Sequence, residues 1–347
     1  MYIKKILVTI ALLGVVACGI IAYTIYSKIF SENTAFENEK AYVFIPSDAT
    51  FEDVVTEITP LLKNVEAFKD VAQRKGYTTN IKGGHYVLTN GMNTNDIINT
   101  IRSKNTPIKV AFNNQERMEN LAGRIASQIE ADSLSLITAM TDADFLKENN
   151  FTTATMMSMY IPNSYECFWN SSATTFRDRM LKEYKRFWNK SRMQKANALG
   201  YTPQEIYTLA AIVQKETAKV DERPRVAGVY LNRLKKGIKL DADPTIIYAL
   251  KKSSNDWDLV IRRVLYKDLE TNSPYNTYRN AGLPPGPIFM PDISAIDAVL
   301  NYEKHGYYYF VADVENFGYH KFAKTLAQHN ANSEAYRIWV SQQGFKR

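Results

Sequence analysis

The chain is poor in cysteine and histidine, with two cysteines and four histidines among 347 residues. Cys18 lies in the apolar N-terminal run, so the rest of the chain holds only Cys167 and is expected to fold without an internal disulfide. No Cys/His spacing typical of a zinc site occurs. The sequence therefore predicts a protein that uses neither a metal nor a cofactor.

A concentrated basic surface is also lacking, although the net charge is +7. Lysines and arginines alternate with acidic residues, as in 182–186, and no long basic stripe carries interleaved aromatic residues. This pattern argues against a nucleic-acid partner. A mildly basic surface suits anionic envelope polymers or lipid headgroups, and it is equally typical of an ordinary solvated surface.

One long hydrophobic run is present, from Ile6 to Ile25. A helix of about 20 residues matches a hydrocarbon core of about 30 Å. Two lysines precede the run and three glutamates follow it, which places the N-terminus in the cytoplasm. These residues are Lys4 and Lys5, then Glu32, Glu37 and Glu39. We predict a cytoplasmic tail over 1–5, a transmembrane anchor over 6–26 and an extracytoplasmic remainder.

Two other interpretations of this terminus remain open. A cleaved signal peptide would have a shorter apolar core followed by small residues, whereas here hydrophobicity continues through 19–23. The segment 15–18 loosely resembles a lipobox ending at Cys18, but lipidation there would strand the following apolar residues outside the bilayer. An uncleaved anchor is therefore favoured.

The remainder divides into a polar linker (27–40), a small module (41–107), a helical connector (108–150) and a main domain (151–347). The overall fold class is predicted to be α+β. In the small module we expect strands at Tyr42–Ile45 and Gly84–Leu88 and helices over Phe51–Leu62 and from Asn93 to about Arg102. His85, within the second strand, is interpreted as structural. Further helices are expected over 116–129, 133–145 and 175–189.

The most informative feature is an apolar helix face that continues into a carboxylate. Ile206, Leu209 and Val213 share one face of a helix, and Glu216 follows three residues later on that face. Burial of a carboxyl group favours its neutral form and raises its pKa, as a general acid requires. The alternative is a frayed helix end with Glu216 in water.

Ordered motifs follow Glu216. They are Lys-Glu-Thr at 215–217, Val-Ala-x-Val-x-x-Asn-Arg-Leu at 226–234 and Asp-Pro-Thr-x-x-Tyr at 243–248, with later blocks at 274–278, 282–288, 309–312 and 318–322. In this order they resemble the MltG/YceG-like endolytic murein transglycosylases. The resemblance spans roughly Phe44 to the C-terminus and is strongest over 206–330.

The sequence departs from the family pattern near 157–165. Met157 and Ser158 stand where the family has Glu-Gly, and Asn163 and Ser164 replace Asp-Thr. Either the task of that glutamate passes to Glu166, or it is dispensable. The resemblance also implies that the small module is LysM-like, which is associated with glycans containing N-acetylglucosamine; a spacer is the alternative.

The resemblance, together with side-chain chemistry, implies substrate-binding residues. An asparagine offers a donor and an acceptor to sugar acetamido and hydroxyl groups, and tyrosine faces pack on pyranose rings. The candidates are Asn232, Tyr275, Asn276, Thr277, Tyr278 and His320. Each candidate also has a structural interpretation. Asn232 would brace neighbouring backbone, and the tyrosine-rich loop would be a packing element. His320 would be a turn residue whose hydrogen-bond partners lie within the protein. Asp243 before Pro244 is predicted to cap a helix.

By this resemblance Glu216 is the catalytic acid and then base of a lytic transglycosylase, which forms 1,6-anhydro-N-acetylmuramic acid ends on peptidoglycan. A hydrolase would need a second carboxylate, for which Asp241, Asp243 and Glu222 are candidates. A non-catalytic envelope-binding or scaffold protein is a further alternative. The implied partners are nascent glycan strands, the bacterial inner membrane and peptidoglycan synthases.

Overall fold

The computed structural model describes residues 2–342, which fall into two compact units. The first comprises 2–110, 126–131 and 165–172, and the second comprises 111–125, 132–164 and 173–342. The predicted connector is thus divided between the units, because residues 126–131 belong to the first and its other helical segments to the second.

The helices and strands follow one another through both units. In the first half of the chain they are α1 (Tyr2–Phe30), β1 (Lys40–Ile45), α2 (Phe51–Ile58), α3 (Val65–Arg74), β2 (Gly84–Thr89), α4 (Thr94–Ser103), β3 (Ile108–Phe112), α5 (Met118–Ala126), α6 (Ser133–Met140), α7 (Ala143–Glu148) and β4 (Asn163–Cys167). The rest are α8 (Ala173–Phe187), α9 (Lys190–Leu199), α10 (Pro203–Glu216), α11 (Arg223–Lys235), α12 (Asp243–Ser254), α13 (Ile293–Leu300), β5 (Tyr309–Ala312), β6 (His320–Ala323) and α14 (Leu326–Gln342).

Helix α1 is long and apolar enough to cross a membrane. It has 29 residues and extends beyond the predicted span of 6–26 at both ends. Its side chains are exposed over almost the whole length, as expected for a helix that contacts lipid rather than a protein core. Near its end, Lys28 forms an ion pair with Asp70 of α3.

Residues 31–39, which follow α1, are hydrogen-bonded to the rest of the first unit and are not a free linker. Asn33 is 3% exposed, and its side-chain amide donates to the carbonyl of Asn64 at 2.9 Å. The side-chain oxygen of Asn33 accepts from the Asn64 backbone N–H at 2.6 Å. Thr34 forms a β-bridge with Leu62. The polar composition of this segment therefore reflects internal hydrogen bonding.

The first unit is built on an antiparallel pair of strands, β1 and β2, with α2, α3 and α4. The two predicted strands are confirmed. The predicted helix over 51–62 is shorter: α2 ends at Ile58 and a 3-10 turn follows, because Pro60 supplies no backbone N–H to continue the helix. His85 is 6% exposed and its Nδ1 lies 3.0 Å from the carbonyl oxygen of Thr106, which agrees with a structural role.

The second unit is organised around α10. Its start is fixed by a capping box between Thr202 and Glu205, and all residues over 206–213 are buried. A helix that is apolar on every side belongs in the centre of a domain, and α11, α12 and α13 pack around it. This packing brings the end of α10, with Glu216, to residues of neighbouring helices.

Other helices of the second unit differ from the predicted ones in detail. The helix expected over 133–145 is two helices, since the Asp142 carboxylate accepts the N–H of Phe145 at 2.7 Å and starts α7. Helix α14, which packs on β5 and β6, was not predicted.

Candidate active site

Glu216 is the last residue of α10, and its carboxylate Oε1 accepts a hydrogen bond from the hydroxyl of Tyr230 at 2.6 Å. Tyr230 lies on α11 and is 1% exposed. The two side chains meet because α10 and α11 pack against each other. The carboxyl group is therefore held in one orientation at the end of a rigid helix.

Burial raises the pKa of Glu216 to about 7. The Tyr230 hydrogen bond acts in the opposite direction, because it stabilises the carboxylate. The negative charge of Asp243 raises the pKa further, whereas His320 and Arg233 lower it. The sequence-based prediction of a raised pKa is confirmed. Near neutral pH both the acid and the carboxylate are populated, so Glu216 is able to donate and to accept a proton.

Glu216 lies on the wall of a pocket of about 420 Å³. We name it the catalytic pocket for the role that is proposed for Glu216 below. One side of it is formed by Tyr230, Arg233, Asp241, Asp243 and Tyr278, and another by residues of β5 and α14. The lining combines carboxylates, hydroxyls and aromatic rings, which suits a polar ligand with apolar faces.

Arg233 braces one wall of the catalytic pocket. Its Nη1 donates to the Leu240 carbonyl at 2.6 Å and its Nη2 to the Asp241 carboxylate at 3.0 Å. Asp241 has a φ of +49°, in the left-handed region that a non-glycine residue rarely adopts. The bidentate arginine stabilises this strained backbone at the pocket, and such strain is often found at functional sites.

The sequence predicted Asp243 as the N-cap of α12, and this prediction is wrong. Ala242 occupies that position and Asp243 is the first helical residue. Its carboxylate accepts a hydrogen bond from the Tyr278 hydroxyl at 2.7 Å. Burial and this contact raise the pKa of Tyr278, so its hydroxyl remains protonated in the catalytic pocket.

The wall formed by β5 and α14 includes a stack that sequence reasoning missed. The ring of Tyr309 lies 5.3 Å from the Arg233 guanidinium and 5.2 Å from the His329 ring. Burial, together with Arg233, lowers the pKa of His329, which keeps the imidazole neutral. No signal in the sequence indicated His329, because its helix lacks a clear apolar face.

His320 pairs with Glu222. Its Nδ1 lies 2.8 Å from one carboxylate oxygen, and its backbone N–H donates to the other at 2.7 Å. Burial alone would raise the pKa of Glu222, but the hydrogen bonds from His320 and Thr217 lower it overall. The His320 ring contacts Phe310, a residue of the pocket wall, at 5.0 Å. The structure thus gives His320 an internal partner, and its substrate contact stays a prediction.

Asn232 also has internal partners. Its side-chain amide donates to the carbonyls of His305 at 2.8 Å and Tyr307 at 3.0 Å. These bonds hold the segment that leads into β5. The geometry therefore supports the bracing alternative for Asn232.

The residues of the predicted sugar-binding loop, 275–278, lie in three different environments. Tyr278 lines the catalytic pocket, whereas Asn276 and Thr277 are 0% and 1% exposed. The Asn276 amide donates to the carbonyls of Leu269 and Thr271, both at 2.8 Å. Two members of the loop are therefore structural, because burial leaves their polar atoms to protein partners. Tyr275 lies in a second pocket, described below.

Asn276→Ala is expected to lower the free energy of unfolding by about 1–3 kcal/mol, because the carbonyls of Leu269 and Thr271 lose the donor that this buried side chain supplies. A shift of the urea midpoint of the second unit would show this. Asn280→Ala, whose side chain is exposed and bonds to nearby carbonyls, is the matched control. Unchanged stability of Asn276→Ala would contradict the bracing role.

Met157 and Ser158, at the departure from the family pattern, are buried. Ser158 donates to the Thr155 carbonyl at 2.6 Å. Met157 lines the second pocket and presents an apolar side chain there. Glu166 is an exposed residue of β4.

Comparisons with known proteins agree with this architecture. A curated relative, the endolytic murein transglycosylase of Bacillus subtilis, is 29% identical over 313 residues, covering 84% of this chain and 83% of that protein. The endolytic murein transglycosylase of Streptococcus pneumoniae is 27% identical over 335 residues, and the match covers 85% of this chain but only 58% of the pneumococcal protein.

A solved structure is also similar. The crystal structure of a YceG-like protein from Listeria monocytogenes matches with a TM-score of 0.54 at 29% identity. The match covers 85% of this chain and 99% of the other. The sequence model of the YceG-like family matches residues 43–335, most of both units. The chain therefore belongs to the YceG-like family.

Proposed function

We propose that this protein is a membrane-anchored endolytic lytic transglycosylase that cleaves peptidoglycan glycan strands. The observation that carries the proposal is Glu216, a carboxyl group with a pKa raised to about 7 in a pocket suited to sugars. The curated relatives from Bacillus and Streptococcus are endolytic murein transglycosylases. A scaffold protein would have no use for a carboxyl group with a raised pKa on a pocket wall, because desolvation of its charged form costs stability.

In the proposed mechanism Glu216 first donates its proton to the glycosidic oxygen between N-acetylmuramic acid and N-acetylglucosamine. The resulting carboxylate then accepts the proton of the muramic 6-hydroxyl, which attacks its own anomeric carbon. One bond breaks, one forms and the proton returns to Glu216, so the enzyme is regenerated. The Tyr230 hydroxyl stabilises the carboxylate between the two steps.

The other carboxylates near Glu216 are engaged with partners. Asp241 pairs with Arg233, and Asp243 accepts from Tyr278. Glu222 is held by His320. A hydrolase needs a carboxylate that is available to activate water or to attack the sugar. These contacts support substrate-assisted chemistry over hydrolysis.

Digestion of purified peptidoglycan with the full chain tests the proposed activity. We expect mass spectrometry to show new ends of the 1,6-anhydro form from within the strands. Reducing ends would instead indicate a muramidase, and the absence of new ends would indicate a non-catalytic protein.

We further propose that α1 anchors the protein in the bacterial inner membrane, with the N-terminus in the cytoplasm and the residues after α1 outside. The lysines before the apolar run and the glutamates after it support this orientation. The anchor would keep the active site near newly made strands, where peptidoglycan synthases are candidate partners. A LysM-like, glycan-binding role for residues 41–107 is part of the same proposal.

A reporter fused to the C-terminus is expected to be active only in the extracytoplasmic compartment. Alkaline phosphatase and a cytoplasmic fluorescent protein form a suitable pair of reporters. Cytoplasmic fluorescence would overturn the proposed orientation. In the same strains Cys18→Ser is expected to stay in the membrane fraction, whereas its release would favour a lipoprotein.

A further inference from the structure

The second unit contains another pocket, of about 380 Å³, within the size range of small-ligand sites. It is separate from the lining of the catalytic pocket and contains Tyr275. Its aromatic side is a cluster in which the Tyr248 ring lies 4.7 Å from Tyr275 and 5.5 Å from Trp257. Met118, Met156 and Met157 add flexible apolar surface that adapts to a ligand's shape.

The charged residues at this second pocket form two ion pairs and leave one lysine without a carboxylate partner. Lys251 pairs with Glu116 at 2.8 Å and Arg117 with Glu119 at 3.1 Å. The ammonium of Lys252 lies 4.8 Å from the centre of the Tyr275 ring and, among residues 2–342, has no carboxylate within salt-bridge distance. The site thus offers one cation without a carboxylate partner beside an apolar surface.

We propose that the second pocket binds the short peptide carried by the muramic residues of peptidoglycan, with a peptide carboxylate on Lys252. This proposal rests on the proposed function. A carboxylate gains a charge-assisted hydrogen bond from Lys252, and the apolar surface receives small side chains such as those of alanine. A sugar ring fits less well, because Tyr248 and Tyr275 are only 8% and 3% exposed and present no open ring face.

The spacing of the two pockets fits one substrate. Helix α12 contributes Asp243 to the catalytic pocket and Tyr248 and Lys252 to the second pocket. Along a helix, separations of five and nine residues correspond to about 7.5 and 13.5 Å. An extended peptide of three or four residues spans roughly 10–14 Å. A peptide attached to a sugar near Glu216 is therefore long enough to reach Lys252.

The test compares two substrates for the full-length protein in detergent micelles. One is glycan strands with their peptides, and the other is the same strands after an amidase has removed the peptides. We expect the wild type to have a higher kcat/KM on the peptide-bearing strands, and Lys252→Met to reduce the ratio of the two values about tenfold or more. Lys252→Arg should retain most of the ratio, because it restores the charge.

Lys236→Met is the matched control, since it removes an exposed lysine of the same unit that lies outside both pockets. It should leave the ratio unchanged. An unchanged ratio in Lys252→Met would overturn the proposal. An equal loss on both substrates would also overturn it, because it would indicate a sugar contact or a structural role.

A binding measurement separates this proposal from the proposed activity. Calorimetry with a soluble disaccharide-tetrapeptide, and with the same disaccharide lacking the peptide, needs no catalysis. Binding of the peptide-bearing probe that Lys252→Met weakens about tenfold or more would support the second pocket even if no anhydro ends formed. Equal affinity of the wild type for the two probes would overturn it while leaving the activity of Glu216 intact.

Discussion

Glu216→Gln is expected to lower the rate of glycan cleavage by about 10²-fold or more while the protein remains folded. Glutamine keeps the size of the side chain and accepts the Tyr230 hydroxyl hydrogen bond, but it has no proton to give to the glycosidic oxygen. The rate of formation of anhydro ends under single-turnover conditions measures the effect.

Glu205→Gln is the matched control, because Glu205 lies at the opposite end of the same helix. Glutamine there preserves the capping box, so α10 should begin as in the wild type. Near-normal cleavage by Glu216→Gln would contradict the assignment of the acid, whereas a similar loss in both variants would point to damage of α10.

Tyr230→Phe is expected to change the pH dependence of cleavage. If protonated Glu216 is required, kcat/KM falls as the pH rises through the pKa of about 7. The Tyr230 hydrogen bond stabilises the carboxylate, so its removal raises that pKa and moves the falling limb to higher pH. A hydrogen bond to a charged group of about 1.5–3 kcal/mol corresponds to about one to two pH units.

Tyr207→Phe serves as the control for this shift. Tyr207 is a buried tyrosine of α10 whose hydroxyl donates to the Tyr160 carbonyl at 2.9 Å. The Tyr207→Phe variant should lose some stability but keep the wild-type pH profile of cleavage. A falling limb that stays in place or moves to lower pH in Tyr230→Phe would show that Glu216 does not govern it.

The sequence predicted the part of the site that depends on local periodicity. The apolar residues Ile206, Leu209 and Val213 indicated a buried helix face, and Glu216 was correctly placed at the end of it. No pattern in the sequence indicated Tyr230 of α11 as the partner of Glu216. Its contact with Glu216 depends on how α10 and α11 pack, which residue spacing within one helix does not determine.

Residue type also failed to distinguish the pocket-lining residues of the loop 275–278 from the structural ones. Tyr275, Asn276 and Tyr278 have the chemistry of a sugar-binding loop, but their environments are set by the fold of residues around them. Asn276 is surrounded by backbone carbonyls of 269–271, whereas Tyr278 reaches Asp243. A satisfied buried amide and a ligand-binding amide have the same signature in a single sequence.

Cleavage of peptidoglycan in water enriched in heavy oxygen tests the central claim most directly. If the muramic 6-hydroxyl is the nucleophile and Glu216 only moves protons, the new ends should be anhydro ends, one water lighter than reducing ends, and should contain no label. Glu216→Gln should give almost none of them. Labelled reducing ends from the wild type would contradict the account, because they would show that water attacks the sugar.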